Sequence, residues 1–184
     1  MENLKNIVVF VALPSEFQID HPDITVVYTG VGKVNAAIMA TKTLPLYNPE
    51  DTIVYNYGSA GSKVLVKNLL YKCTRFQQSD MDARPLVDSI GITPYDEEIY
   101  PSISNIIEFD EELSGYLCST ADRFQENPSA PIVDMEAYSI AKVCKIFGFD
   151  FVAYKFVSDD GNTDEWEQNH MNGADLFMRV LDVH

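Results

Sequence analysis

Apolar residues along this chain fall into short runs separated by polar turns, and the runs alternate between strand-like and helix-like spacing. Residues 6–13 (NIVVFVAL) form a continuous apolar stretch ended by Pro14, which predicts a first buried strand. Ile24 to Thr29 and Thr52 to Tyr57 predict a second and a third. Leu69 to Thr74 and Gly115 to Thr120 read as further short strands. Ala36, Ala37 and Ala40 mark a closely packed helix between the second and third strands. After Val133 the period changes twice. Ile140, Val143, Cys144 and Phe147 recur at helical spacing, and Gly148 supplies the stop. Phe151 to Val157 has the aromatic and β-branched content of an internal strand, ended by the turn formers Ser158-Asp159-Asp160-Gly161-Asn162. The spacing of Trp166, His170, Ala174, Phe177 and Leu181 predicts one last helix over 163–180 with those side chains on its buried face.

Strands alternating with helices define an α/β protein. Its 184 residues fit one domain, and no repeat or low-complexity tract divides them. A helix followed by a strand brings the helix start and the strand end to one edge of the sheet. Asp134-Met135-Glu136 and Ser158-Asp159-Asp160 therefore become candidates for sharing a pocket, at the strand ends where open α/β sheets bind their ligands.

Charge narrows the partners. With 28 acids against 13 bases the net charge is −15, which argues against a nucleic-acid backbone or an anionic membrane. The apolar runs are too short to span a bilayer, and the first residues do not read as a secretory signal, so a cytoplasmic protein is expected. Cys73, Cys118 and Cys144 lie far apart in apolar surroundings, as buried free thiols in a reducing compartment do. The histidines form no HxxxH or HExxH pattern and the chain has no GxSxG elbow. No metal and no cofactor is expected.

Three strand ends carry polar chemistry. Glu16 follows the first strand, either as a helix N-terminal acid or as a catalytic carboxylate. Gly30-Val31-Gly32-Lys33 resembles a phosphate loop only in outline, because Asn35 stands where a third glycine would be and Val34 follows the lysine. What remains is a tight turn and a helix N-terminus able to hold a polar group. Asn56-Tyr57-Gly58-Ser59-Ala60-Gly61-Ser62 ends the third strand with small residues that let a ligand approach. Residues 79–103 form a long stretch with little periodicity, of the kind that is functional or interface-forming.

Taken in order, VALPSE, TGVGKVNAA, NYGSAG, the DMD and GITP elements, ADRF, VDMEA and FVSDDGN resemble the nucleoside phosphorylase and nucleosidase superfamily, most closely its methylthioadenosine/S-adenosylhomocysteine nucleosidases. The resemblance covers nearly the whole chain. It implies a three-layer sandwich whose central mixed, mostly parallel sheet is flanked by helices. It also implies roles: Glu16 activates the attacking water, Met135 and Glu136 line the ribose, and Asp159 protonates the purine with Ser158 orienting it. Ser59 and Gly61 belong to the loop near ribose and water, Phe124 stacks on the base, and the Gln125 backbone reads the base edge. Ile92 and Pro94 would reach a neighbouring subunit's pocket in a homodimer.

The chemistry suits these residue types. Cleaving a ribosyl C–N bond passes through an oxocarbenium-like state, so one carboxylic acid must protonate the departing base and one carboxylate must activate water. A proton-donating carboxyl needs an apolar surround, which FVAYKFV offers, with Asp160 as a like-charged neighbour. Phosphorolysis would require cations to hold a phosphate dianion. Asn56 stands three residues before Ser59, and the turn after the first strand has no arginine, so hydrolysis is expected. A phosphorylase and a nucleoside-binding protein without turnover remain the alternatives. Relative to the family pattern, Ser62 replaces a glycine, Lys155 an arginine and Ser79 a histidine, and only QENPSAPIV joins Phe124 to Asp134.

Overall fold

The computed structural model describes residues 6–109, 114–125 and 128–181, and its first strand, β1 (Asn6–Val11), is buried on both faces. Val8 and Phe10 enter one hydrophobic core while Val9 and Val11 enter another, as the two-residue period of a strand requires. β1 pairs in parallel with β2 (Ile24–Tyr28) and with β3 (Thr52–Gly61). β8 (Asp150–Asp159) lies parallel to β3 on its other side. These inner strands carry apolar side chains on both faces because helices cover both.

The sheet is mixed, not purely parallel. β4 (Leu70–Gln78) follows β3 after residues 62–69, a connection shorter than the dozen or so residues a parallel crossover needs. It therefore runs back antiparallel to β8. β4 then pairs in parallel with β6 (Tyr116–Thr120) and antiparallel with the short β5 (Ile107–Glu108). β7 (Ile132–Asp134) continues parallel to β6 and meets β3 again through Gly61 and Val133. The path β3–β8–β4–β6–β7 thus returns to β3 and draws the ends of β3, β7 and β8 together.

α1 (Lys33–Thr43) and α3 (Ala137–Phe147) pack on one face, where Ala36, Ala40, Ala137, Ile140 and Cys144 join the larger core. α3 ends at Gly148, whose φ of 79° is a conformation glycine adopts without a Cβ penalty. The long stretch 79–103 contains a single turn of helix, α2 (Asp96–Ile99). Cys73, Cys118 and Cys144 are free and buried. Among the described residues no helix is long and apolar enough to cross a membrane.

The final helix predicted over 163–180 is two helices, α4 (Thr163–Asn169) and α5 (Ala174–Leu181). The break has a packing cause at Gly173, where a Cβ would lie 2.5 Å from Phe156 Cγ and 2.6 Å from Tyr57 Oη. Only glycine lets the chain pass this close to the sheet. α5 covers the second core, with Phe177 stacked on Tyr57 at 4.6 Å between ring centroids. α4 is released to a different task. Its Trp166 is half-buried at the sheet edge, while Phe177 and Leu181 carry the core contacts that the uninterrupted helix was expected to share.

Candidate active site

The ends of β1, β3, β7 and β8 surround one pocket. Glu16, Ser59, Gly61, Phe124, Gln125, Met135, Glu136 and Asp159 all line it. Ser158 stands directly behind Asp159, fully buried. Ile92 and Pro94 do not reach this pocket. They line a separate groove with Thr93 and Tyr138.

Glu16 is 3% exposed and held by three donors. Its Oε1 accepts from the Ser59 amide at 2.9 Å and the Ser59 hydroxyl at 2.6 Å, and its Oε2 accepts from the Leu13 amide at 3.1 Å. An ionised carboxylate has about four acceptor positions. Oε1 is filled, and Oε2 keeps one lone pair for a group in the pocket. The Ser59 hydroxyl in turn accepts from Trp166 Nε1 at 2.9 Å.

Asp159 closes the end of β8 and is 2% exposed. Its Oδ2 accepts from the Ser158 hydroxyl at 2.7 Å and its Oδ1 from the Gly161 amide at 2.8 Å. Gly61 packs tightly beside it: a Cβ there would stand 3.1 Å from both Asp159 Oδ1 and Val133 Cγ2 and would need those neighbours to give way. Ser62, in a place where the family pattern has glycine, braces the same corner. Its amide donates to the Asp159 carbonyl at 2.9 Å and its hydroxyl to the Pro131 carbonyl at 2.6 Å. Asp160 turns outward, half-exposed, with Lys67 at 3.5 Å, and takes no part in the buried cluster.

Glu136 and Asp134 are two residues apart and electrostatically opposite. Asp134 forms an ion pair with Lys155 Nζ at 2.7 Å, each side chain 1% exposed. Burial pushes the Asp134 carboxyl up, but the Lys155 ammonium, the Thr120 hydroxyl and the Ala137 amide outweigh it and hold it below the usual carboxylate range. Burial likewise works against a charged Lys155, and Asp134 reverses the shift. Glu136 has no such cation of its own. Its Oε1 accepts from the Gly32 amide at 2.8 Å. Burial, and then the negative charge of Asp134, raise it from 4.5 to about 8, against the pull of Lys155 and the Gly32 amide. Near neutrality Glu136 is a protonated carboxyl able to donate and accept at once.

The helix N-terminus foreseen as a ligand site is taken by the chain itself. The Gly32 amide is held by Glu136 and the Lys33 amide by Asp122 Oδ1 at 2.7 Å. Phe124 is 48% exposed at the rim, its ring open to a planar ligand. The Gln125 side chain belongs to the scaffold, accepting from the Ser79 hydroxyl at 2.8 Å and donating to the Ser119 carbonyl at 3.3 Å. Ser79, where the family pattern has histidine, thus fixes Gln125. Among the described residues no cluster of three or more His, Cys, Asp or Glu side chains is placed to hold a metal ion.

Three contributors escaped the sequence reading. Trp166 was assigned to the core, Lys155 was noted only as a replacement for arginine, and Arg123 at the pocket rim was passed over. The lysine had a legible signal: a cation in the middle of an apolar strand, FVAYKFV, demands a buried anion.

A mixed-sheet α/β protein with a carboxylate-lined pocket at its strand ends is the class that fold and site define. No family model matches the chain. The 5′-methylthioadenosine/S-adenosylhomocysteine nucleosidase of Staphylococcus carnosus (strain TM300) is 28% identical over 166 residues, covering 78% of this chain and 72% of the relative. Two solved structures share the fold. A Helicobacter pylori futalosine hydrolase matches with a TM-score of 0.79 and 20% identity, covering 98% of this chain and 99% of its own. The Helicobacter pylori 5′-methylthioadenosine/S-adenosylhomocysteine nucleosidase, solved in complex with a substituted pyrrolidin-3-ol, matches with a TM-score of 0.78 and 20% identity, covering all of both chains. The chain is thus similar in sequence to a methylthioadenosine/S-adenosylhomocysteine nucleosidase and shares its fold with one and with a futalosine hydrolase.

The raised Glu136 carboxyl has a signature in stability. Between pH 4.5 and about 8 the folded chain keeps a proton that the unfolded chain has released. Stability therefore falls as pH rises through this window. Glu136→Gln, neutral at every pH, removes that loss. Urea unfolding at pH 5 and pH 8.5 is expected to show the variant gaining on the wild type at the higher pH. A constant difference between the two would contradict a raised Glu136.

Proposed function

We infer that this protein is a purine nucleoside N-ribohydrolase of the methylthioadenosine/S-adenosylhomocysteine type, cleaving the N-glycosidic bond with water. The observation that carries the reading is the division of labour among buried carboxyls in one pocket. Glu16 retains a single open acceptor position and serves the attacking water. Asp159, fixed by Ser158 and the Gly161 amide, serves the departing base as proton donor at N7. Glu136 grips the ribose hydroxyls with Met135 beside it. Phe124 stacks on the purine, and the Gln125 backbone reads its edge. Ser59 and Gly61 shape the floor where water and ribose meet.

Water is favoured over phosphate as nucleophile. Lys155 is consumed by Asp134, and Glu16 would repel a dianion. Arg123 is the only cation among the described lining residues, and it sits at the rim beside Phe124. The fold alone does not choose the 5′ substituent, since a futalosine hydrolase and a methylthioadenosine/S-adenosylhomocysteine nucleosidase match it about equally.

A homodimer in a reducing, cytoplasmic setting completes the proposal. Buried free thiols support the compartment. Ile92 and Pro94 stand away from their own pocket, and α1 exposes Val34 and Ile38 in line with Val31 of the pocket wall, an apolar strip suited to a second copy. Sedimentation velocity is expected to give twice the monomer mass; a monomer at working concentration would contradict this.

The enzymatic test is release of free base from methylthioadenosine, S-adenosylhomocysteine and futalosine, each with and without phosphate. Base release independent of phosphate is expected from at least one. Asp159→Asn should retain binding and lose about 10²–10⁴-fold in kcat, the usual worth of a general acid. Strict phosphate dependence would establish a phosphorylase, and binding without turnover by the wild type a binding protein.

A further inference from the structure

Trp166 lines the pocket and makes one hydrogen bond to its machinery. Its indole Nε1 donates to the Ser59 hydroxyl at 2.9 Å, and that hydroxyl lies 2.6 Å from Glu16 Oε1. An indole N–H can only donate, and a serine hydroxyl has one proton. The bond from Trp166 therefore occupies a lone pair of Ser59 and leaves its proton one destination, the Glu16 carboxylate. Without the indole, the hydroxyl could rotate and donate elsewhere in the pocket, to water or ligand.

The indole is itself fixed. His170 stacks on it at 4.5 Å between centroids with 19° between planes. His170 Nδ1 lies 3.0 Å from the Trp166 carbonyl, and its Nε2 lies 3.3 Å from the hydroxyl of Ser15, the residue before Glu16. At the start of α4 the Asn162 side chain accepts from the Asp164 and Glu165 amides, anchoring the first turn. Lys67 ties Glu165, the neighbour of Trp166, to the loop after β3 at 2.5 Å. The break at Gly173 frees α4 from the core to lie over this corner.

We propose that Trp166 is a positioning residue: by polarising the Ser59 hydroxyl toward Glu16 it holds the water-activating carboxylate in the orientation that leaves Oε2 open to the nucleophile. This rests on the reading of Glu16 as the group that activates water. The role of the Trp166–Ser59 bond shows chiefly in kcat, because that bond acts on the Glu16 carboxylate and not on the base.

Trp166 is the chain's only tryptophan, so its indole gives one ¹H–¹⁵N resonance, free of overlap with any other indole. Trp166→Phe preserves a ring over His170 and removes the donor. Its kcat is expected to fall roughly three- to tenfold, the scale of one lost hydrogen bond, with KM within about twofold of wild type. Ser59→Ala should lower kcat as well, and the double variant should be no slower than the slower single, since both act through one oxygen. Wild-type kcat in Trp166→Phe, or losses that multiply in the double variant, would overturn the proposal. The indole resonance is expected to shift in both Ser59→Ala and Glu16→Gln, and a resonance unmoved in either variant would overturn it too. This second readout needs no turnover. If the wild type released no base from any nucleoside, the hydrolase reading would fall while the indole spectra still decided whether Trp166, Ser59 and Glu16 form one connected chain.

Discussion

One buried ion pair sets the terms for the rest of the site. Lys155 and Asp134 are both out of water, and removing two such charges from solvent costs several kcal/mol each. The cost is met only because Asp134 is saturated, by Lys155, the Thr120 hydroxyl and the amides of Glu136 and Ala137. Those partners come from β8, β6 and the start of α3. The pair is thus the point at which the closing sheet and the helix that carries Glu136 are joined. Lys155 occupies the centre of β8, in register with Gly58 on β3 and Tyr71 on β4. A Cβ at Gly58 would stand 3.6 Å from Glu16 Oε1 and 3.7 Å from Lys155 Nζ, so the same small residue borders both the cation and the Glu16 carboxylate.

The pair also sorts the remaining carboxyls. Burial first, and then the fixed Asp134 anion, raise the Glu136 carboxyl against the pull of Lys155, so neighbouring acids two residues apart are shifted in opposite directions. Glu16 is assigned its orientation by three donors, and Asp159 by Ser158 and Gly161. Separate environments for similar groups are what let one pocket do acid and base work at one pH. A protein with net charge −15 could not leave four carboxyls of one pocket wall in equivalent surroundings without self-repulsion dominating.

Much of this was legible along the chain, for physical reasons that also mark where legibility stops. Strand runs and the αβ unit from Glu136 to Asp159 were readable because apolar period and turn formers agree there. The quoted motifs identified eight residues that do converge on one pocket. The last helix was misread because Gly173 interrupts a pattern that otherwise continues at spacings of three and four. Periodicity cannot see that a Cβ at this point would meet Phe156 and Tyr57. Trp166 was misplaced for the same reason, since a helix face toward a pocket and one toward the core look alike in sequence. The α1 N-terminus was read as open because its occupants, Asp122 and Glu136, are supplied from far along the chain. Ile92 and Pro94, expected to serve a neighbouring subunit's pocket and not their own, line a groove apart from the pocket.

The most direct measurement of the central constraint is a double-mutant cycle on the buried pair. Urea unfolding at pH 7 would compare Lys155→Met, Asp134→Asn and the double variant with the wild type. Each single variant is expected to lose about 3–5 kcal/mol, the usual cost of stranding one buried charge, and the double variant well under the sum. Losses that simply add, or singles within about 1 kcal/mol of wild type, would contradict the account that this pair organises the site.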